Sequence, residues 1–182
     1  MRHRAAIVAA TFLIGSLVAL AACAPTGPTS APPDDDPGDA APTPAMMAAA
    51  VHQLLTVDHT FGEGPPPFTE YLLLDHTEAD APDVAPRPLT DAEQAAIEEV
   101  VAPFGPFRWI DDPAEWRTED LRPTIEGAVI VGVGEPTIDG DRGLVPVSLW
   151  CGGLCGTWLT YELTASDGDW AVTGIDGPIA VS

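Results

Sequence analysis

Leu144 to Cys151 and Thr157 to Leu163 alternate apolar and polar residues, and the tight turn Cys151-Gly152-Gly153-Leu154-Cys155 joins them. Side chains on a strand alternate faces, so the length of that turn decides which residues share the core. A three-residue loop of Gly152, Gly153 and Leu154 sets Cys151 opposite Cys155, with Leu149, Val147 and Val145 opposite Thr157, Leu159 and Tyr161. Most apolar side chains then fall on one face. A two-residue Gly-Gly loop would pair Cys151 with Leu154 and Val147 with Trp158, mixing the faces. The longer loop is therefore expected.

This hairpin sits inside a C-terminal meander. Ala128 to Val133 alternates around Val129, Val131 and Val133; Asp139-Gly140-Asp141 and Asp167-Gly168-Asp169 read as turns; Trp170 to Ile175 is a further strand, and Ile179 to Val181 ends the chain. Upstream, Met46 to Val57 suits a helix, with Met47, Val51, Leu54 and Leu55 on one side. Thr90-Asp91-Ala92-Glu93 fits a capping box, and Ile97, Val100, Val101 and Phe104 follow as one buried stripe until Pro103 ends the helix. Glu70 to Leu74 and Phe107 to Ile110 are short strands, and Asp111 to Pro123 is a polar connection in which Trp116 caps the core. Two helices packed on a mostly antiparallel sheet that ends in a β-meander make an α+β domain. The order resembles the cone of NTF2-like domains, by analogy only.

The amino-terminal segment has a different chemistry. Arg2 and Arg4 precede an apolar run from Ala5 to Leu20, and Leu20-Ala21-Ala22-Cys23 closes it. These residues resemble the lipobox of bacterial lipoprotein precursors. The resemblance implies that the Cys23 sulfur takes a diacylglycerol, that residues 1–22 are cut away as signal peptide, and that the new amino terminus is acylated, with chains such as palmitate. Two or more acyl chains hold a domain stably on a membrane where one is marginal. The competing readings are plain secretion and an uncleaved anchor, because Ala5 to Ala24 is 20 residues of mostly apolar character, about the ~20 that span a bilayer. The small residues and the cysteine at its end favour the lipobox. The expected location is the extracytoplasmic face of the cell membrane. The whole chain also resembles uncharacterised secreted lipoproteins of high-GC bacteria, which brings no activity with it.

Residues 24–45 carry seven prolines in 22 residues, the run Asp34-Asp35-Asp36 and no large apolar side chain. Residues 23–45 thus read as the lipidated cysteine and a disordered linker, extended by roughly 3.1 Å per residue. Residues 46–182 remain for a single globular domain. Without residues 1–22, five Arg stand against 28 Asp and Glu, so the net charge moves from −21 to −23. An acidic surface argues against nucleic acid and against docking on anionic lipid. Membrane contact must come through Cys23.

Assigning Cys23 to lipid leaves Cys151 and Cys155 as a pair. Directly opposed cysteines have a Cα separation of about 4.5–5.5 Å, within reach of a disulfide, and export places them in an oxidising compartment. A redox motif has two intervening residues at a helix N-terminus, which this hairpin lacks, and zinc would need a second Cys pair. Trp150 and Trp158 fall on the face opposite Val147 and Leu159 and form a candidate binding patch. They are either packed under another layer, Trp150 covering Gly156 across the strand, or exposed to a protein or sugar.

Other motifs are incomplete. Gly132-Val133-Gly134-Glu135-Pro136 begins like a phosphate loop without the third glycine or a helix. The two Asp-Gly-Asp turns lack the remaining ligands of a calcium loop. His52, His59 and His76, with Asp58 and Asp75 beside the latter two, are the candidate acid–base or metal groups. No catalytic residue, metal site or cofactor is assigned. The leading expectation is a non-enzymatic envelope lipoprotein that binds a protein, glycan or small ligand. The alternatives are an enzyme with an acid–base pocket between sheet and helices, built on His59 or His76, and a calcium-binding acidic domain.

Overall fold

The computed structural model describes residues 42–62, 64, 66–79 and 85–182. Cys23, the signal segment and the linker up to residue 41 lie outside the described residues. The elements run α1 (Pro42–Thr56), β1 (Glu70–Leu74), α2 (Asp91–Val101), β2 (Phe107–Ile110), a 3-10 turn (Pro113–Trp116), β3 (Ala128–Val133), β4 (Thr137–Asp139), β5 (Arg142–Gly152), β6 (Cys155–Ser166) and β7 (Asp169–Val181). They form the expected α+β domain. α1 begins four residues before the expected Met46, because a proline is tolerated in the first turn of a helix, where its missing N–H has no partner to lose.

The seven strands make one mixed sheet in the order β2-β1-β3-β5-β6-β7, with β4 paired to the first residues of β5. β1, β2 and β3 are mutually parallel, while β3, β5, β6 and β7 form the antiparallel meander. The parallel part explains a pattern that alternation alone misreads. Every residue of β3 is buried, as are Tyr71 to Leu74 of β1, because parallel strands need crossovers that cover both faces.

On one face α1 and α2 pack over the sheet. Met46, Met47, Val51, Leu54 and Leu55 of α1 and Ile97 and Val101 of α2 meet Tyr71, Leu73, Val129, Val131, Val147, Leu149, Leu159, Tyr161 and Leu163. On the other face Leu72, Leu74, Ile110, Ala128, Ile130 and Trp150 form a smaller cluster, lidded by Trp116 and Ile125 from the β2–β3 connection. That lid stops before β6 and β7. Trp158, Thr160, Glu162 and Thr164 of β6 are half-buried or exposed on the uncovered side.

Local chemistry sets the boundaries. Thr90 accepts from the Glu93 N–H at 3.3 Å, and the Glu93 carboxylate accepts from the Thr90 N–H at 2.7 Å, completing both halves of the capping box. Arg87 then grips the same carboxylate with two bonds of 2.8 and 2.7 Å, and its Nε reaches Glu135 at 2.6 Å. The segment before α2 is thereby tied to the end of β3. In the β6–β7 turn Asp167 and Gly168 have φ of 55° and 92°, the pattern of a type I′ turn that suits the twist of the strands.

Candidate binding groove

The β5–β6 hairpin has the expected register: Leu149, Val147 and Val145 pair with Thr157, Leu159 and Tyr161. At the tip Gly152 pairs with Cys155 and the ladder shifts between Trp150 and Gly152. The turn is therefore Gly153-Leu154 with Cys151 bulged out, rather than a three-residue loop with Cys151 squarely opposite Cys155. A bulge inserts one residue while leaving the ladder beyond it in step. Cys151 and Cys155 lie at disulfide distance, with a Cα separation of 5.1 Å.

The two tryptophans separate. Trp150 is 8% exposed, lies in the smaller cluster and carries the Arg117 guanidinium 4.5 Å above its ring. Trp158 is 38% exposed. Trp150 does pair with Gly156, yet the ring that covers this glycine is that of Trp158, where an added Cβ would overlap the indole. They do not form a joint aromatic patch. One ring closes the core and the other faces solvent.

Trp158 borders a groove of about 510 Å³ on the uncovered side of the sheet. Pro146 of β5, Thr160 of β6, Asp176 and Pro178 of β7 and Glu78 complete its main walls. Glu78 reaches it because the chain leaving β1 stays paired: the Glu78 N–H donates to the Val133 carbonyl at 2.9 Å, while Thr77 and Arg87 exchange bonds of 2.8 and 3.1 Å. The Glu78 carboxylate lies on the bare backbone of Gly132, where an added Cβ would overlap it and come within 2.8 Å of Ser148 Oγ. Burial pushes the Glu78 carboxyl up, against the opposing pull of the Ser148 hydroxyl and the charges of His76 and Arg117. A carboxyl raised by desolvation inside a cleft is a functional-site candidate on physical grounds. Sequence reading did not single it out.

The histidines take other roles. His59 is buried; its Nδ1 accepts the Phe61 N–H at 3.1 Å, so its Nε2 carries the proton donated to the Gly64 carbonyl at 3.0 Å. It holds the loop after α1 and has no nitrogen left for chemistry. Its neighbour Asp58 turns instead to Gln53 and to the Tyr161 hydroxyl, at 3.2 and 2.7 Å. His76 pairs with Asp75 at 3.0 Å, and His52 is exposed on α1. The three do not gather into a site. No cluster of three or more metal-binding side chains is present among the described residues, and Asp139-Gly140-Asp141 and Asp167-Gly168-Asp169 are hairpin turns. Between sheet and helices, beside Val51, Leu73, Ile97 and Trp109, lies a void of about 10 Å³. That is no more than the space one water centre needs.

Two other concavities occur among the described residues. One of about 620 Å³ lies between the 120–127 segment and the Cys151–Cys155 hairpin, beside the exposed Leu121 and Leu154. The other, about 240 Å³, lies on the β4–β5 hairpin. Comparison with protein-family models, curated proteins and solved structures finds no match for this chain.

Proposed function

We propose that the protein is a membrane-anchored extracytoplasmic lipoprotein whose domain binds a ligand in the groove beside Trp158. The observation that carries the binding role is a half-exposed indole and a desolvated carboxylate lining one concavity on the sheet face that the helices leave open. The groove volume of about 510 Å³ falls within the range of small-molecule sites, roughly 300–1,000 Å³. Support for the anchor is the lipobox Leu20-Ala21-Ala22-Cys23 followed by seven prolines in residues 24–45, a tether that would lift the groove clear of the bilayer. The engaged nitrogens of His59 favour binding over acid–base catalysis built on that residue.

Mass spectrometry of the mature amino terminus, with fractionation of wild type and Cys23→Ala, tests the anchor. Diacylated or triacylated Cys23 and release of the variant from membranes are expected. An unmodified Cys23 in membrane-bound protein overturns the lipid anchor. For the groove, ligand-observed NMR of the full-length protein against charged and neutral small molecules should give hits that Trp158→Ala abolishes; hits indifferent to Trp158 overturn the site.

A further inference from the structure

The five arginines of the domain are already engaged or lie away from the groove. Arg87 serves Glu93 and Glu135, Arg108 serves Glu70, Arg142 serves Glu162, Arg122 lines the cavity beside the β5–β6 hairpin, and Arg117 lies over Trp150, from where its charge reaches Glu78 without lining the groove. The chain has no lysine. Among the described residues no ion pair closes on Glu78 or Asp176, and both line the groove, whose walls include no Arg or His. The groove is thus a concavity with two carboxylates, an indole, and apolar surface from Pro146 and Pro178.

We infer that this groove takes a small organic ammonium ion, with its charge on Glu78 and Asp176 and its alkyl surface against the Trp158 ring. The inference rests on the reading of the groove as the binding site and adds the chemistry of the ligand. Three terms favour it together. A cation near the face of an indole is attracted by the ring quadrupole. A carboxylate taken from water gains a direct ion contact when a cation arrives, beyond the longer-range pull of His76 and Arg117, and Glu78 is held in place by the backbone of Gly132 and by Ser148. The acidic surface, net −23 once residues 1–22 are removed, concentrates cations around the site. A compact organic cation satisfies both the apolar walls and the carboxylates, whereas a hydrated metal ion would leave the indole and prolines unused.

The test uses the full-length lipidated protein in detergent, with tetramethylammonium and n-butylammonium as cationic probes, tert-butanol as the neutral isostere, and chitotetraose as a neutral glycan. Saturation-transfer NMR is run at 150 mM NaCl, where the Debye length of about 8 Å screens general attraction to the acidic surface. Binding of at least one ammonium probe and none of tert-butanol is expected. Glu78→Gln, which keeps shape and volume, and Trp158→Ala are each expected to weaken it about three- to thirtyfold, the range of a cation–π or paired-charge contact. Thermal unfolding of each variant confirms that it is folded. Ammonium binding unchanged in Glu78→Gln overturns the inference and reduces the effect to surface charge. Trp158-dependent binding of chitotetraose without ammonium binding overturns the cation while leaving the groove a binding site. Failure of all four probes overturns the cation and counts against the groove itself.

Discussion

Replacing Arg87 with Met removes a guanidinium and keeps most of its stem. Glu93 is 2% exposed and sits inside the capping box of α2, with Arg87 on both of its oxygens and Thr90 donating from its N–H and hydroxyl. Leaving one partner of a buried ion pair uncompensated costs about 3–5 kcal/mol. Arg87 is 35% exposed, so water reaches the vacated side, and Thr90 still bonds the carboxylate. The second acceptor, Glu135, is 38% exposed and adds little. A loss of about 2–3 kcal/mol is expected, or roughly 6–12 °C in Tm for a domain of this size. The pH dependence is a sharper check. Arg87, more than any other group, holds the Glu93 carboxyl below its usual value, so the pair contributes in full above pH ~4.3 and is lost as pH falls through the lowered value. In Arg87→Met burial dominates and the carboxyl moves up, so protonation relieves the variant first. The stability gap between wild type and variant should therefore narrow from pH 7 to pH 4. Chemical denaturation across that range measures it. A gap below about 0.5 kcal/mol at pH 7, or one that does not change with pH, would refute the reasoning.

Two further substitutions follow from buried contacts. Tyr161→Phe removes the hydroxyl that donates to Asp58 at 2.7 Å, tying β6 to the end of α1, and should cost about 1.5–3 kcal/mol in urea unfolding, as expected for a hydrogen bond to a charged group. Burial raises the phenol of Tyr161 and that of Tyr71, the chain's two tyrosines, so phenolate absorbance should be absent at pH 10–11 and appear together with alkaline unfolding; a tyrosine titrating reversibly near pH 10 in folded protein refutes this. Gly132→Ala, whose Cβ would overlap the Glu78 carboxylate, should destabilise by roughly 1–3 kcal/mol and lose much of that cost when Glu78→Ala is added. Additive effects in that double-mutant cycle would show that the two residues do not touch.

The fold was legible where local chemistry agrees with the global arrangement. The capping box of α2 stands where Thr90 and Glu93 place it; β1, β2 and β3 have the expected bounds, and the β5–β6 register follows from the turn and the apolar pattern. What stayed hidden was pairing between distant strands. Nothing in Glu70 to Leu74 or Ala128 to Val133 states that these segments lie side by side and parallel, because parallel neighbours share no turn that records their register. Their near-continuous apolar character was the available sign: an exposed face would need polar residues at every second position, and Leu72 to Leu74 of β1 and Ala128 to Val133 of β3 have none.

The groove was legible in one residue only. Trp158 was visible as an indole on the face opposite the core, but Glu78 lies in a segment whose composition reads as loop, and its importance arises from a neighbour 54 positions away in the chain. Gly132 shows how such a signal can be misread. In sequence it belongs to Gly132-Val133-Gly134, which begins like a phosphate-binding turn. In the sheet it lies mid-strand with ordinary extended pairing to Ser148, and the missing side chain is the space filled by the Glu78 carboxylate. A glycine inside a strand weakens it and so marks either a bend or a close approach. Because the ladder between β3 and β5 runs unbroken through Gly132, the bend is eliminated and the close approach remains. A strand that gives up a side chain beneath a half-buried acid favours the position of that acid over its own packing, and this ties the glycine to the groove rather than to the fold alone.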